Sequence, residues 1–543
     1  MRRPLTRLAV VMPIAFAFAF ALAAPASAHA VVERSTPAAG TVLRTSPPAL
    51  SLVFDETVLA ANDALHLYDD RLTAVRLGAT SHPQGRGSVI TAPVRTALGP
   101  GTYTVTWRVT SADTHVVSGS FTFSVGHPTE VSGVPPGNGV DPATSHLAAV
   151  ARGLGYAGLV GGPGALVVMA WLWPAGLSRR RMRVLVIGGG ALLVVATVAG
   201  VVAQGAAAAG VPVEHAVSWS ALRLGMAGRF GRAAGARIVL LVAIAWTAAV
   251  SGRRGQVSAS QTSAVAAVLA TTWPYAGHSG TGDLVALAFV ADWVHVAAMA
   301  TWLGGLMVAL SGLLGRTGER DPAEAAHVMD QFSEWALAAV SLLVATGLFA
   351  AWRNVRAFGA LTATHYGRLL LWKSGVVVVV LVAAYLSRRF AANGAGRAES
   401  SLQLLRRTVV AEAVGAVVIL GITAFLTGTA QASQTYAPAL TRSAVDGGIT
   451  ATVHVDRTGV GATQVVVTMT RGGRAQPIEH IDGSLTELDP PVGPLPVTFR
   501  PSGMGREVAT VTFPDPGEWA LSLDVQTSSV NEVALSTAIR IRE

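Results

Sequence analysis

Eight apolar stretches dominate the middle of the chain, between Leu147 and Ala432. Most of them approach the ~20 residues that a helix needs to cross a bilayer, and only the third and the fourth are short. We therefore predict a polytopic α-helical membrane bundle of about eight spans over residues 146–432. The stretches lie at approximately 147–173, 183–204, 237–251, 262–276, 284–314, 332–352, 369–387 and 408–428.

The segments on either side of this bundle alternate between apolar and polar residues. From 29 to 126, short alternating runs such as 51–54, 102–109 and 120–125 are separated by Pro and Gly, and from 446 to 543 similar runs lie at 450–455 and 464–469. Such alternation is typical of strands in a β-sandwich or barrel. We predict an all-β domain at each end, the second an immunoglobulin-like β-sandwich, and a linker over 127–145 after the first.

Residues 1–28 have the organisation of a secretory signal peptide. Basic residues precede an apolar run from 8 to 24, and Ala26-Ser27-Ala28 follows as the small-x-small pattern that signal peptidase recognises. Cleavage after Ala28 would make His29 the new N-terminus. The alternative is an uncleaved membrane anchor, against which the cleavage pattern argues.

The charge distribution predicts topology and argues against nucleic-acid binding. The chain is 51% hydrophobic with a formal charge of +9, but its arginines lie between apolar stretches and form no single basic domain. The connections after the odd-numbered stretches are richest in arginine, and the opposite loops hold fewer, one of them ending at Arg237. We predict a multi-pass protein of the cytoplasmic membrane, embedded in the lipid bilayer, with both β-domains extracytoplasmic. The richer connections hold Arg179, Arg180, Arg181, Arg183, Arg253, Arg254, Arg316, Arg320, Arg388, Arg389, Arg397, Arg406 and Arg407.

The first β-domain offers metal ligands without sulfur, since the chain has no cysteine and residues 29–126 contain no methionine. After cleavage, the α-amine and Nδ1 of His29 can chelate one ion in a six-membered ring. Asp113 and His115 are two residues apart, so on an extended strand they project to the same face. A set of three nitrogens and one carboxylate oxygen favours Cu(II). We predict one Cu(II) per domain, bound by His29, Asp113 and His115.

The fifth apolar stretch carries ionisable residues, which are costly in a membrane and so are functional candidates. Asp292, His295 and Met299 fall at i, i+3 and i+7, on one helical face. With His278 near the outer surface, they would form a copper path with harder ligands outside and a thioether deeper. The alternative is structural: Asp292 and His295 would pair with Arg, Lys373 or Glu412, and Met299 would only pack.

Two segments of the first domain resemble the signatures of CopC copper-binding proteins: residues 29–40 (HAVVERSTPAAG) and 103–121 (YTVTWRVTSADTHVVSGSF). The resemblance implies a cupredoxin-like β-barrel in which the N-terminal His, the Asp and the second His hold Cu(II). These correspond to His29, Asp113 and His115. Thr114 stands where many relatives have Gly, and we expect it to keep the same strand geometry.

The bundle resembles CopD, the membrane partner often fused to CopC. This resemblance implies a copper-transport or copper-resistance protein, usually described as mediating uptake. The matching stretches are Gly277-His278-Ser279, His295 through Trp302-Leu303-Gly304-Gly305, Phe332-Ser333, Thr346-Gly347-Leu348, residues 366–373 (YGRLLLWK) and Glu412.

Three function classes follow. The leading hypothesis is a transporter in which the β-domain captures Cu(II) and the bundle passes copper inward. The second is a copper-sequestering module that the bundle only anchors. The third, less favoured, is a copper or haem redox enzyme, and we expect no enzymatic activity. There is no phosphate-binding loop for ATP, so copper would cross by conduction, by ion coupling, or with an unidentified chaperone or reductase.

Overall fold

The computed structural model describes most of the chain in several stretches. Three separate parts follow one another: a β-sandwich, a helical bundle and a second set of β-sheets. This confirms the predicted multidomain fold class. The described residues are 30, 32–111, 114, 116–129, 131, 140–253, 258–277, 284–313, 322–392, 399–446, 448–459, 461–488, 491–513, 517–528 and 531–541.

The first domain is a sandwich of two sheets with strand orders β1-β3-β6 and β2-β8-β7-β4-β5. The alternating runs that predicted strands all lie within β3, β7 and β8, because alternate residues of these strands enter a shared core. Phe54 and Trp107 meet there edge to face across the two sheets, with ring centroids 5.4 Å apart. The strands are β1 (Val32–Thr36), β2 (Val42–Leu43), β3 (Ala49–Phe54), β4 (Leu65–Tyr68), β5 (Ala74–Val75), β6 (Val89–Pro93), β7 (Gly101–Thr110) and β8 (Val116–Val125).

Within the described residues, seven helices are long and apolar enough to cross a membrane. The first begins at Pro142, inside the predicted linker, because the side chain of Asp141 caps it by accepting from the Thr144 N–H at 2.9 Å. The helices are α1 (Pro142–Leu159), α2 (Ala165–Leu172), α3 (Arg180–Ala209), α4 (Trp219–Met226), α5 (Gly228–Arg253), α6 (Ala259–Ala270), α7 (Thr272–Ala276), α8 (Val285–Val308), α9 (Pro322–Val355), α10 (Phe358–Ala363), α11 (His365–Ala392), α12 (Glu399–Leu426) and α13 (Ala432–Thr435).

The fourth predicted span is not one long helix. It is divided at Thr271 into α6, of 12 residues, and α7, of 5 residues. Pro274 has no backbone N–H to continue the helical ladder, and hydropathy alone does not register that break. The pair nevertheless packs into the bundle, with Leu269 and Ala270 buried in the same core as Trp293.

Two spans form the centre of the bundle. In the segment 142–172, in which a π-turn joins α1 to α2, 78% of the most apolar window is buried, and in 285–313 the share is 61%. In the other five spans it is 11–28%, so they lie at the periphery. The central pair approaches closely because glycines face each other: a Cβ on Gly304 would lie 2.6 Å from the carbonyl carbon of Gly164. Gly304 is thus a helix-contact position, as small residues often are in membranes.

The C-terminal part consists of two antiparallel sheets with orders β15-β16-β11-β10-β9, where β12 also pairs with β11, and β14-β13-β17-β18. Their inner faces share one core, in which Phe513 meets Trp519 edge to face at 5.8 Å. The strands are β9 (Leu440–Asp446), β10 (Ile449–Val455), β11 (Gly461–Arg471), β12 (Arg474–Ala475), β13 (His480–Leu488), β14 (Pro491–Val497), β15 (Arg500–Gly503), β16 (Arg506–Phe513), β17 (Gly517–Ser528) and β18 (Asn531–Ile541).

Candidate functional site

The predicted Cu(II) ligands His29, Asp113 and His115 lie outside the described residues, and their role stays a prediction. Their neighbours are described. Ala30, which directly follows His29, is only 3% exposed and belongs to the domain core. The other two predicted ligands come, in the sequence, between β7 and β8, whose last paired residues are Thr110 and Val116.

Thr114, between the two predicted loop ligands, does not have the expected strand geometry. Its φ is +76°, in the left-handed region that β-branched residues rarely adopt. Its N–H donates to the carbonyl of Ser111 at 3.0 Å. The expectation that Thr114 keeps strand geometry was wrong, whereas the same-face argument for Asp113 and His115, which lie outside the described residues, stays a prediction. A glycine would take this conformation without strain.

The β7–β8 loop is attached to the membrane bundle through Thr114. Its hydroxyl donates to the carbonyl of Ala276, the last residue of α7, at 3.1 Å. Its own carbonyl accepts from Nε2 of Gln204, near the end of α3, at 2.8 Å. Nearby, the guanidinium of Arg108 packs over Gly210, the C-cap of α3, where a helix end favours a positive charge. Burial lowers the pKa of Arg108, and Asp63 opposes that shift.

A cavity of about 720 Å³ lies directly beneath this loop. Thr114 and Val116 of the first domain line it together with residues of the bundle. Asp292, His295 and Met299 line it as well, which confirms that the three share one helical face. His278 lies outside the described residues.

His295 is held in one orientation by Thr346 of α9. Its Nδ1 lies 2.8 Å from Oγ1 of Thr346, and that hydroxyl donates to the carbonyl of Leu342 at 2.6 Å. Because the hydroxyl proton is used in this way, Thr346 must accept from an N–H at Nδ1. The lone pair of neutral His295 is then on Nε2, the arrangement that orients metal-binding histidines elsewhere.

Asp292 lies in a polar neighbourhood built from several helices. Lys373 of α11, Tyr156 of α1 and Tyr366 interact with it electrostatically, and Lys373 also acts on His295. The structural alternative therefore has support too, since a carboxylate and a lysine share this region. Met299 likewise packs against two core clusters while it lines the cavity. Among the described residues, no group of three or more His, Asp or Glu is placed to hold a metal ion.

The comparisons with known proteins match the first β-domain and the later part of the helical bundle. The CopC domain family matches residues 32–126, and the family of copper resistance protein D, CopD, matches 326–426. The copper transport protein CutJ of Bacillus subtilis (strain 168) is 24% identical over 363 residues, 65% of this chain and 66% of that protein. The chain belongs to the CopC/CopD fusion family.

Shorter relatives match the CopC domain alone. Protein YobA of Escherichia coli (strain K12) is 34% identical over 99 residues, 18% of this chain and 79% of its own length. The crystal structure of CopC from Methylosinus trichosporium OB3b is 26% identical and covers 19% of this chain and 97% of that one, with a TM-score of 0.17. The CopD match covers α9, α11 and α12. It begins after α8, the helix that carries Asp292 and His295.

Sequence reasoning missed most of the polar residues that surround Asp292 in this CopC/CopD protein. Arg237 was assigned to a loop, but α5 begins at Gly228, and Arg237 is 9% exposed within the bundle. Its Nε donates to Oγ1 of Thr272 at 2.9 Å, and its guanidinium lies 4.0 Å from the ring centroid of Trp273. Arg152, inside the first apolar stretch, was not singled out. The rule that intramembrane charges are functional candidates would have found it.

Proposed function

We propose that this protein captures Cu(II) outside the cytoplasmic membrane and passes copper inward through the cavity of its helical bundle. The proposal is supported most directly by one observation: the β7–β8 loop, which carries two of the three predicted ligands, is hydrogen-bonded to the bundle through Thr114, a residue that also lines the cavity. The relationship to a copper transport protein agrees with it.

The capture step relies on His29, Asp113 and His115. The α-amine and imidazole of His29 form a chelate, and Asp113 and His115 complete a nitrogen and oxygen set that suits Cu(II) better than Cu(I). Metal binding requires deprotonated ligands, so the free amine must lose its proton to bind. One additional residue ahead of His29 removes that amine from the site.

The transfer step relies on the residues beneath the loop. Nε2 of His295 offers a nitrogen ligand, and Asp292, one turn towards the start of α8, offers an oxygen. Met299 lies about 6 Å further along the helix from His295, at 1.5 Å per residue, and offers a softer sulfur. A copper ion leaving the loop would meet Asp292 first, then His295 and then Met299.

The alternative is a copper-sequestering domain that the bundle only anchors, and intramembrane substitutions separate the two. The full-length protein is reconstituted in proteoliposomes, Cu(II) binding is followed by EPR, and uptake is measured with radioactive copper. Asp292→Asn/His295→Gln should leave the tetragonal Cu(II) signal unchanged and reduce uptake at least about tenfold, the lower range for disturbed metal ligation. His327→Gln, an exposed histidine on α9, is the matched control.

The capture residues are tested in the same preparation. A chain with one Gly ahead of His29, its N-terminus verified by mass spectrometry, should lose both the Cu(II) signal and uptake at low copper. If the intramembrane variant takes up copper normally while it binds Cu(II), the anchor alternative replaces transport. An absorption spectrum with a haem band would favour the redox alternative instead.

A further inference from the structure

The cavity beneath the β7–β8 loop has an unexpected charge balance. Among its described lining residues, one carboxylate, Asp292, faces four cationic side chains, so that the formal excess is three positive charges with His295 neutral. The cationic residues are Arg152, Arg237, Arg353 and Lys373.

Such an excess is unusual for a path that carries a metal cation. Charges within a membrane are expensive, and they are normally paired with opposite charges. Four cationic side chains and one carboxylate give this lining a net positive formal charge, which disfavours the entry of free Cu²⁺. A ligand with negative charge would relieve both problems.

Arg152 and Arg237 are positioned by neutral groups. Nε of Arg152 donates to the carbonyl of Ala424 at 2.8 Å. Arg237 donates to the hydroxyl of Thr272 from Nε and to the carbonyl of Thr272 from Nη2, at 2.9 and 3.2 Å. These hydrogen bonds orient the two guanidinium groups without neutralising their charge.

The two arginines lie at similar depth and in the same region. Each is about 14–15 Å along its helix from the end near the first β-domain, counted from Pro142 and from Gly228. The ring of Tyr156 lies close enough to interact electrostatically with both arginines and with Asp292. The arginine pair therefore adjoins the group that includes His295.

We propose that the cavity binds a small carboxylate-bearing ligand at Arg152 and Arg237, and that copper enters it as an anionic chelate of that ligand. Guanidinium groups bind carboxylates with two parallel hydrogen bonds, which fixes both charge and orientation. A cavity of about 720 Å³ has the size of a small-molecule site and is much larger than one ion requires. The proposal that copper enters as an anionic chelate rests on the proposed transport function, whereas the proposal of an anion-binding site does not.

Citrate, a tricarboxylate that chelates Cu(II), is the probe. Radiolabelled citrate is titrated onto the full-length chain in phosphatidylcholine nanodiscs, with and without equimolar Cu(II). Saturable binding is expected, and Arg152→Gln/Arg237→Gln should weaken it at least about tenfold, as the loss of charge-assisted hydrogen bonds does. Arg442→Gln/Arg500→Gln removes the same charge from exposed positions of the C-terminal part and should leave binding unchanged. Equal weakening by both pairs, or no saturable binding, would overturn the proposal.

Two checks guard against misfolding and against a lipid ligand. Arg152→Lys and Arg237→Lys keep the charge and lose the planar fork, so intermediate weakening is expected with an intact Cu(II) EPR signal. Nanodiscs with phosphatidylglycerol should give the same citrate affinity. The opposite outcome has two parts: citrate binding is lost in these nanodiscs, and phosphatidylglycerol stays bound to the wild-type chain but not to Arg152→Gln/Arg237→Gln. That outcome would assign the site to a lipid headgroup and overturn the small-molecule proposal.

Uptake separates this proposal from the proposed function. Proteoliposomes receive radioactive copper either as the anionic citrate complex or as the dicationic bis(ethylenediamine) complex. Preferential uptake of the citrate complex, abolished in Arg152→Gln/Arg237→Gln, supports the chelate. Equal uptake of both complexes overturns the proposal that copper enters as an anionic chelate, but it agrees with copper transport. Citrate binding without uptake of either complex overturns the proposed transport function, but it supports the anion-binding site.

Discussion

Nε2 of Gln204 donates a 2.8 Å hydrogen bond to the backbone carbonyl of Thr114 and so joins the membrane bundle to the loop of the predicted copper ligands. The acceptor is a backbone carbonyl, so its position depends on the backbone conformation at Thr114 and not on the identity of the side chain. A change of loop conformation on copper binding would therefore reach α3 directly. The coupling of capture to transfer can be tested at this bond.

Gln204→Leu should uncouple capture from transfer. Removing one such hydrogen bond costs about 1 kcal/mol, which corresponds to an about fivefold smaller population of the docked loop. We expect copper uptake by proteoliposomes to fall by a similar factor while the Cu(II) EPR signal stays unchanged. Gln331→Leu, on α9 beside His327, is the matched control. An unchanged uptake rate in Gln204→Leu would show that this bond does not contribute to transfer.

Thr346→Val should weaken copper binding at His295. Valine has the shape of threonine but cannot accept from Nδ1, so neither the tautomer nor the orientation of the ring is held. Loss of such an outer partner typically lowers metal affinity about 10–100-fold. The measurement is the copper concentration at half-maximal uptake, which should rise. Thr346→Ser keeps the hydroxyl and should restore it. Equal defects in both variants would indicate a packing effect.

Much of the fold could be predicted from sequence because its signals are local. Strands β3, β7 and β8 follow from alternation, and the long spans follow from apolar length. Among the residues that interact with Asp292, the sequence offered Lys373 only as one of several possible partners and did not indicate Tyr156 or Tyr366. Lys373, Tyr156 and Tyr366 come from helices far apart in the chain, and only packing brings them together.

The failures have physical causes at particular residues. Thr114 was expected to keep strand geometry in place of the relatives' Gly, and its positive φ, rare for a β-branched residue, is not visible in the sequence pattern. Arg237 was assigned to a loop because a charge lowers hydropathy, although a buried arginine can be satisfied by a hydroxyl, a carbonyl and an aromatic ring. The spacing of Asp292, His295 and Met299 succeeded because residues at i, i+3 and i+7 share a face in any α-helix.

Comparison of Thr114→Gly with Thr114→Ala should reveal the strain in the loop. Both variants lose the hydroxyl that donates to Ala276, but only glycine accepts a φ of +76° without penalty. The left-handed conformation costs about 1–2 kcal/mol for a residue with a Cβ. The β7–β8 loop should therefore open at least about fivefold less often in the glycine variant than in the alanine variant. Hydrogen exchange of peptides from β7 and β8 in the full-length chain measures this. Faster exchange in the glycine variant would contradict the prediction.

Acid should loosen the start of α1. The hydrogen bond from the Thr144 N–H holds the pKa of the Asp141 carboxyl below its usual value of 3.8. The capping contribution is therefore complete above that value and is lost as the pH falls through the lower, folded-state pKa. Hydrogen exchange at Thr144, compared at each pH with Asp141→Ala, which has no side-chain acceptor, should show protection that disappears below pH 3.8. A difference that persists at lower pH would contradict this assignment.

Gly304→Ala should destabilise the bundle, whereas Gly188→Ala should not. A Cβ at Gly304 would lie 2.6 Å from the carbonyl carbon of Gly164, and backbone cannot move aside as the end of a side chain can. Overpacking of this kind costs about 1–3 kcal/mol. A Cβ at Gly188 on α3 meets nothing within 4 Å, so alanine there should add up to about 1 kcal/mol of helix propensity. Thermal unfolding in detergent should show opposite shifts of the midpoint. Shifts in the same direction would mean that the two central helices are not in close contact at Gly164.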